Sequence, residues 1–190
     1  DLLMGFWERR SNNALIKAID PALPAGRIIE VGVGTGHLLS AIAGHYPNAK
    51  VSGIDFSSCM LKATRERLRQ CEGPHSCSGR IKLFRTDLFA GGCLPTGADI
   101  LVSSFFLDLL PRGRLDEGVA RLLNLLGPGG RAYIACLSAD ARLCPWFRLT
   151  RKLYARVYFS RWARQVSEAL FNGYFTHSRP IDLIATLKRC

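Results

Sequence analysis

The stretch Ile28-Ile29-Glu30-Val31-Gly32-Val33-Gly34-Thr35-Gly36-His37-Leu38-Leu39 decides how this chain folds. An apolar run of strand type ends in an acidic residue, three glycines follow at alternate positions, and a helical pattern begins. The pattern predicts a strand, a tight turn and a helix N-terminus, a geometry that lets a ligand reach contact distance of the main chain. The spacing is G-x-G-x-G, whereas dinucleotide binders carry G-x-G-x-x-G, and position 37 is a histidine. In those binders the last glycine lets the helix pack close to the strand beneath a pyrophosphate. With that glycine one residue early and the Glu30 carboxylate just before the turn, a diphosphate is disfavoured and a ligand with an ammonium or sulfonium group is suited. The competing reading is a plain glycine-rich turn with no ligand, and the rest of the chain decides between them.

Working outward, residues 6–19 read as an amphipathic helix with Phe6, Leu15, Ile16 and Ile19 among its apolar positions, broken by Asp20-Pro21 and Pro24-Ala25-Gly26. The first strand spans Arg27–Val31 and a helix spans Gly36–Gly44, before the turn Tyr46-Pro47-Asn48. Lys50–Asp55 is a second strand that again ends in an acid, and Ser57 or Ser58 caps a helix running to about Gln70. After a polar loop, Cys71–Gly79, comes a third strand, Arg80–Arg85, with Asp87 just beyond it. Gly91–Gly97 is loop and Asp99–Ser103 a buried-type strand. A helix over 114–126 is stopped by Gly127-Pro128-Gly129-Gly130, and the fifth strand is Arg131–Leu137. Strands alternating with helices five times predict an α/β fold: a Rossmann-like, doubly wound, mostly parallel sheet with helices on both faces. Ligands in such sheets bind outside the carboxyl ends of the strands, which singles out Glu30 to Gly36, Asp55-Phe56, Asp87-Leu88 and Ser103 to Asp108.

Those segments carry coherent chemistry. A carboxylate at Asp55 can accept from two vicinal ribose hydroxyls, one at Asp87 can accept from the exocyclic amine of adenine, and Phe56, Met60 and Leu88 could sandwich a purine. Each aspartate alone is better read as a cap or turn former; three consecutive strand ends together are not. Glu30-Val31-Gly32-Val33-Gly34-Thr35-Gly36 resembles motif I of the class I S-adenosylmethionine-dependent methyltransferases. Gly53-Ile54-Asp55-Phe56-Ser57-Ser58-Cys59-Met60-Leu61, Thr86-Asp87-Leu88 and Leu126-Gly127-Pro128-Gly129-Gly130 are similar to the segments that follow in that family, in order. The resemblance covers roughly residues 14–140, and its nearest flavour is the branch of ubiquinone/menaquinone C-methyltransferases and bacterial phosphatidylethanolamine N-methyltransferases.

The resemblance implies S-adenosylmethionine as cofactor and S-adenosylhomocysteine as product. Gly32, Val33, Gly34, Thr35 and Gly36 would pass under the methionine part, and Glu30 would reach its ammonium through water or backbone. Asp55 would hold the ribose, Phe56 and Met60 would flank the purine, and Asp87 with Leu88 would hold the adenine. Ser103, Ser104 and Phe105 would line the acceptor side, and Trp7 on the leading helix is either a lid over the cofactor or a core residue. The segment Ser103-Ser104-Phe105-Phe106-Leu107-Asp108 lacks the Asn/Asp-Pro-Pro-Tyr/Phe motif of methyltransferases acting on nucleic-acid bases or glutamine. Asp108 is a candidate base, though a cap for the turn before Pro111 is favoured. No metal-ligand set and no catalytic dyad is apparent, and methyl transfer to a ready nucleophile needs little beyond alignment.

With 190 residues, 48% of them hydrophobic, the chain suffices for one domain: a core over 1–140 with its leading lid helix, and a cap or acceptor region over 141–190. No run has the apolar length of a transmembrane helix. No signal-peptide pattern is visible, and Asp1 in place of Met leaves room for a native N-terminus upstream. Seven scattered cysteines without a CxxC pair read as reduced thiols of a cytoplasmic protein. The net charge of +11 is uneven, since residues 141–190 hold ten Lys/Arg against two Asp/Glu. Within 142–164, Arg148, Lys152 and Arg156 share one helical face while Trp146, Leu149, Leu153, Val157 and Trp162 share another. Three readings stay open, in descending order: a substrate-cap helix with a solvated basic face, a peripheral element at an anionic membrane surface serving a lipid acceptor, and a nucleic-acid contact. Pro180 opens a helix over 181–188, with a strand as the alternative. The resemblance implies two further strands after it, one antiparallel, which this sequence does not include; only if the protein truly lacks them is the sheet edge after the fifth strand expected to be exposed.

The leading functional expectation is a methyltransferase acting on a small-molecule or amphiphilic acceptor. A non-catalytic module of the same fold, tethered by its basic tail, is the alternative, and an NAD-dependent oxidoreductase is disfavoured by the early third glycine.

Overall fold

The structure is a computed structural model that describes residues 2–19, 25–70, 79–90 and 92–136, with the side chains of residues 2–8 and 112 excepted. Its elements are α1 (Leu2–Ala18), β1 (Arg27–Val31), α2 (His37–His45), β2 (Lys50–Asp55), α3 (Ser58–Gln70), β3 (Ile81–Arg85), β4 (Ala98–Ser104), two 3-10 turns (Leu107–Leu109 and Arg112–Arg114), α4 (Leu115–Leu123) and β5 (Leu126–Ala135). The strands form one five-stranded sheet in the order β3-β2-β1-β4-β5, and every neighbouring pair is parallel.

A parallel sheet covered on both faces demands nearly continuous apolar strands. Ile28, Ile29 and Val31 of β1 and Ile100, Leu101 and Val102 of β4 are at most 2% exposed. Each such side chain contributes about 1.5–3 kcal/mol on full burial. Leu15 and Ile19, at the end of the leading helix, join Leu38, Leu39 and Ile42 of α2 in the main core cluster with Ile28, Val51, Ile100 and Val102. The steps from β1 to β2 and from β2 to β3 run in one direction, so right-handed crossovers put α2 and α3 on one face. The step from β4 to β5 runs the other way, which puts the returning residues 120–123 on the opposite face.

Two expectations are corrected. The alternation is incomplete, because between β3 and β4 the described residues make a turn at Leu88-Phe89 and then irregular chain, with no helix. Gly91, Gly92, Pro95 and Gly97 crowd that segment, and they break a helix before it can propagate. The expected stop at Gly127-Pro128-Gly129-Gly130 falls inside the span of β5. Ala98 pairs with Leu126 and the ladder resumes at Ile100 with Arg131, so those four residues bulge out of the pairing. Close approach requires the glycines there: a Cβ on Gly130 would overlap the Ala98 carbonyl oxygen, and one on Gly127 would lie 3.2 Å from the Gly97 backbone. The ladder ends at Ser104 with Ala135, short of the expected Leu137.

The chain divides into two compact units, Asp1–Ser104 with Ala120–Ala135, and Phe105–Val119 with Cys136–Cys190. The first holds the sheet. In the second, the described residues form the two 3-10 turns, closed by Leu110 N–H on the Leu107 carbonyl (3.2 Å) and Arg114 N–H on the Pro111 carbonyl (2.9 Å), and the start of α4. The basic aromatic stretch 142–164, the expected helix over 181–188, most of the polar loop after α3 and Leu137 lie outside the described residues. Among the described residues no helix is long and apolar enough to cross a membrane.

Candidate functional site

The glycine turn leaves the carboxyl end of β1 and is tied to β2 at once: Gly32 N–H donates to the Ile54 carbonyl at 2.9 Å, and Gly36 N–H closes the turn on the Val33 carbonyl at 2.9 Å. Gly53 makes this docking possible, since a Cβ there would fall 2.8 Å from side-chain atoms of both Val33 and Leu83. Gly34 and Gly36 have φ of +52° and +78°, in the left-handed region that side-chain-bearing residues rarely adopt. They differ in what they face. A Cβ on Gly36 would lie 2.7 Å from Cγ2 of Thr64, whereas one on Gly34 would meet nothing within 4 Å. Gly36 therefore packs against α3, and Gly34 turns a bare main chain toward open space.

Asp55 ends β2 and is 8% exposed. Its Oδ2 accepts from Gly34 N–H at 3.0 Å and its Oδ1 from Ser57 N–H at 2.9 Å, so one carboxylate joins the glycine turn to the start of α3. Of the two serines expected to cap α3, Ser57 accepts the Met60 N–H on its Oγ at 3.3 Å. Burial raises the Asp55 pKa above its ordinary value, opposed by the backbone N–H groups of Ser57, Gly34 and Phe56. Glu30, at the end of β1, is only 2% exposed.

The third strand end is held beside the second. Thr86 N–H donates to the Asp55 carbonyl at 3.1 Å, bringing Asp55-Phe56 and Asp87-Leu88 together as expected. Asp87 Oδ1 accepts from Phe89 N–H at 2.9 Å, a turn-forming bond that commits one of its oxygens. Leu88 is buried and Phe56 and Met60 are half-buried.

At the end of β4 the arrangement differs from the expected acceptor-side wall. Ser103 is fully buried, with its hydroxyl on the Val31 carbonyl at 3.2 Å, which makes it a brace between β4 and β1. Ser104 donates to Oδ1 of Asn12 on α1 at 2.9 Å. The side chain of Trp7 lies outside the description. Phe105, just past β4, has φ of +54°, a strained conformation of the kind that clusters at functional sites. In the second unit, Asp108 is buried at 1% exposure, and the turn it sits in is closed by backbone bonds from Leu109 and Leu110. Burial, with the Asp108 charge second, pushes the Cys136 thiol up to about 11, so Cys136 is no nucleophile at neutral pH.

Four residues escaped the sequence reading. Thr64 Oγ1 donates to the Gly34 carbonyl at 2.9 Å, and Arg67 Nε donates to the Thr35 carbonyl at 2.8 Å. Arg121 donates to the Leu88 carbonyl at 3.1 Å and lies 5.6 Å from the centre of the Phe89 ring. Asn12 holds Ser104. For Thr64 and Asn12 a signal existed: each is a polar residue on an apolar helical stripe, Leu61-Thr64-Leu68 and Asn12-Leu15-Ile19.

The strand order, the glycine turn after β1 and the buried carboxylate after β2 define a Rossmann-like fold of the class I methyltransferase type. The chain belongs to the family described as "Methyltransferase domain", which matches residues 29–132. It is 30% identical over 149 residues to a trans-aconitate 2-methyltransferase of Variovorax paradoxus, covering 78% of this chain and 51% of that protein. It is 32% identical over 111 residues to the ubiquinone/menaquinone biosynthesis C-methyltransferase of Syntrophotalea carbinolica, covering 58% and 43%. The fold matches the solved S-adenosylmethionine-dependent methyltransferase SibL with a TM-score of 0.66 at 21% identity, over 80% of this chain and 42% of that one. The chain thus spans about half the length of the curated relatives it matches.

Proposed function

We propose that this chain carries the S-adenosylmethionine site of a methyltransferase whose acceptor is a small or lipid-like molecule. The observation that carries the reading is the Asp55 carboxylate held between the Gly34 and Ser57 N–H groups, beside a glycine whose missing side chain leaves open space. An ionised carboxylate offers about four acceptor positions. The backbone N–H groups of Gly34, Ser57 and Phe56 draw on it, and the acceptor capacity left over suits the hydroxyls of a ribose. The bare Gly34 main chain admits the amino-acid part of the cofactor, Asp87 and Leu88 take the adenine side, and Phe56 and Met60 flank the base.

When bound, S-adenosylmethionine supplies a methyl group activated by its sulfonium. The work left to this chain is to bind, orient and exclude water, because holding the reacting atoms in line supplies much of the rate. The names of the relatives support a small acceptor: trans-aconitate in one, ubiquinone/menaquinone biosynthesis in another. The basic aromatic stretch over 142–164 is the proposed acceptor-side or membrane-facing segment.

Calorimetry with S-adenosylhomocysteine tests the reading. Binding is expected in the micromolar range, and Asp55→Ala is expected to weaken it by about tenfold to a hundredfold, the loss of hydrogen bonds to a charged group. No heat at high micromolar ligand with folded protein would sink the proposal.

A further inference from the structure

Resting on that reading, we propose that Thr64 and Arg67 of α3 are positioning residues for the amino-acid half of the cofactor, acting through the main chain of the glycine turn without touching the ligand. They stand at i and i+3 on one helix, so they project on the same side. Their donors meet consecutive carbonyls, Thr64 Oγ1 on Gly34 at 2.9 Å and Arg67 Nε on Thr35 at 2.8 Å. Gly34 is held at both ends, its N–H by Asp55 at 3.0 Å and its carbonyl by Thr64, and this fixes the plane of the peptides around it. The Thr64 methyl fills the space beside Gly36, where a Cβ would lie 2.7 Å away. Both carbonyls are thereby drawn toward α3 while Gly34 keeps open space on its bare side. Thr64 is fully buried, so its bond acts where water competes little, and Arg67 is half-buried, its charge strengthening the bond it donates.

The physical consequence is preorganisation. A glycine-rich turn is the most flexible backbone in the chain, and ordering it on ligand binding would cost affinity. Two side chains on a packed helix remove that cost in advance. Their effect falls chiefly on the part of the ligand over the turn, because the carboxylate proposed for the ribose sits on β2 and is also held by Ser57 N–H, and the adenine segment follows β3.

The test compares S-adenosylhomocysteine with 5′-methylthioadenosine, which keeps the adenosine and lacks the amino-acid part. Thr64→Val keeps shape and loses the donor. Arg67→Met keeps the stem and, being half-exposed, leaves the fold intact if Thr64→Val does not. Each variant is expected to weaken S-adenosylhomocysteine about tenfold, one charge-assisted or buried hydrogen bond, while methylthioadenosine affinity stays within about twofold. Arg67→Lys, which keeps a cationic donor, is expected to recover part of the loss. Equal weakening of both ligands, or no weakening of either, overturns the inference while leaving the cofactor reading in place. Failure of the wild-type protein to bind either ligand overturns the cofactor reading itself.

Discussion

At the scale of the residue, Asp55 carries two demands that pull its charge in opposite directions. Burial raises its pKa from the ordinary 3.8, and three backbone N–H groups only partly restore it. The folded chain therefore binds that proton more tightly than the unfolded chain. Its contribution to stability is full below pH 3.8, is lost as pH rises through the raised native value, and is level above both. In the proposed site, ribose hydroxyls donating to the carboxylate favour its ionised form, so ligand binding is expected to respond with the other sign. The affinity for S-adenosylhomocysteine is expected to rise with pH across that window and then plateau. Calorimetry from about pH 4 to pH 7 checks this, with Asp55→Ala expected to flatten the profile. An Asp55→Ala profile that still rises as in the wild type would assign the titration to another group. The same position shows how legible a single residue is in sequence: an acid at the end of a strand marks a candidate ligand group, and its bond to Ser57 two residues on is the turn or cap form expected of an aspartate, but its bond to Gly34 was not readable, because it depends on a turn 21 residues away.

At the scale of the element, β1 and β2 were readable to the residue, since each is an apolar run bounded by charge and turn signals. The loop before β4 was readable too, from its glycines and proline, but the bulge in β5 was not, because a glycine-rich run signals only a break, and the neighbouring strand decides whether that break ends the strand or bends it. Arg121 shows the limit more sharply. On α4 it reads as one more solvated cation, yet tertiary approach puts its guanidinium on the Leu88 carbonyl at 3.1 Å and over the Phe89 ring. With Asp87 closing the same turn from within, Arg121 fixes the segment proposed for the adenine. Arg121→Met removes a charge-assisted bond and a cation–π contact, together about 2–3 kcal/mol at a partly buried site. The expected result is a melting temperature lower by several degrees, and weakened binding of both methylthioadenosine and S-adenosylhomocysteine. That pattern separates the adenine segment from the glycine turn, whose variants are expected to spare methylthioadenosine. Unchanged methylthioadenosine binding in Arg121→Met would show that the turn holds its shape without the arginine.

At the scale of the whole molecule, the charge is divided as sharply as the roles. Residues 1–140 hold sixteen Lys/Arg and thirteen Asp/Glu for a net +3, and residues 141–190 hold ten and two for +8, together the +11 of the chain. The part of the chain that carries the proposed cofactor site is thus nearly balanced, and the excess lies in a stretch with Trp146, Phe147, Tyr154, Tyr158, Phe159 and Trp162 interleaved among its cations. A cation near an anionic bilayer contributes about 1 kcal/mol, and interfacial aromatics add apolar area. If the acceptor is a lipid-like molecule drawn from a bilayer, the full chain is expected to co-sediment with vesicles containing phosphatidylserine and not with purely zwitterionic ones. Raising salt shortens the Debye length from about 10 Å at 0.1 M to about 3 Å at 1 M, so binding should be lost there. Reversing Arg148, Lys152 and Arg156 to glutamate removes three favourable terms and adds three unfavourable ones, a loss of at least about a hundredfold in partitioning. The same triple variant should bind S-adenosylhomocysteine as the wild type does, because the proposed cofactor contacts lie on β1, β2 and β3. Sedimentation indifferent to both salt and charge reversal would remove the membrane from the proposal and leave a freely diffusing acceptor, with the cations free to steer a small anionic one.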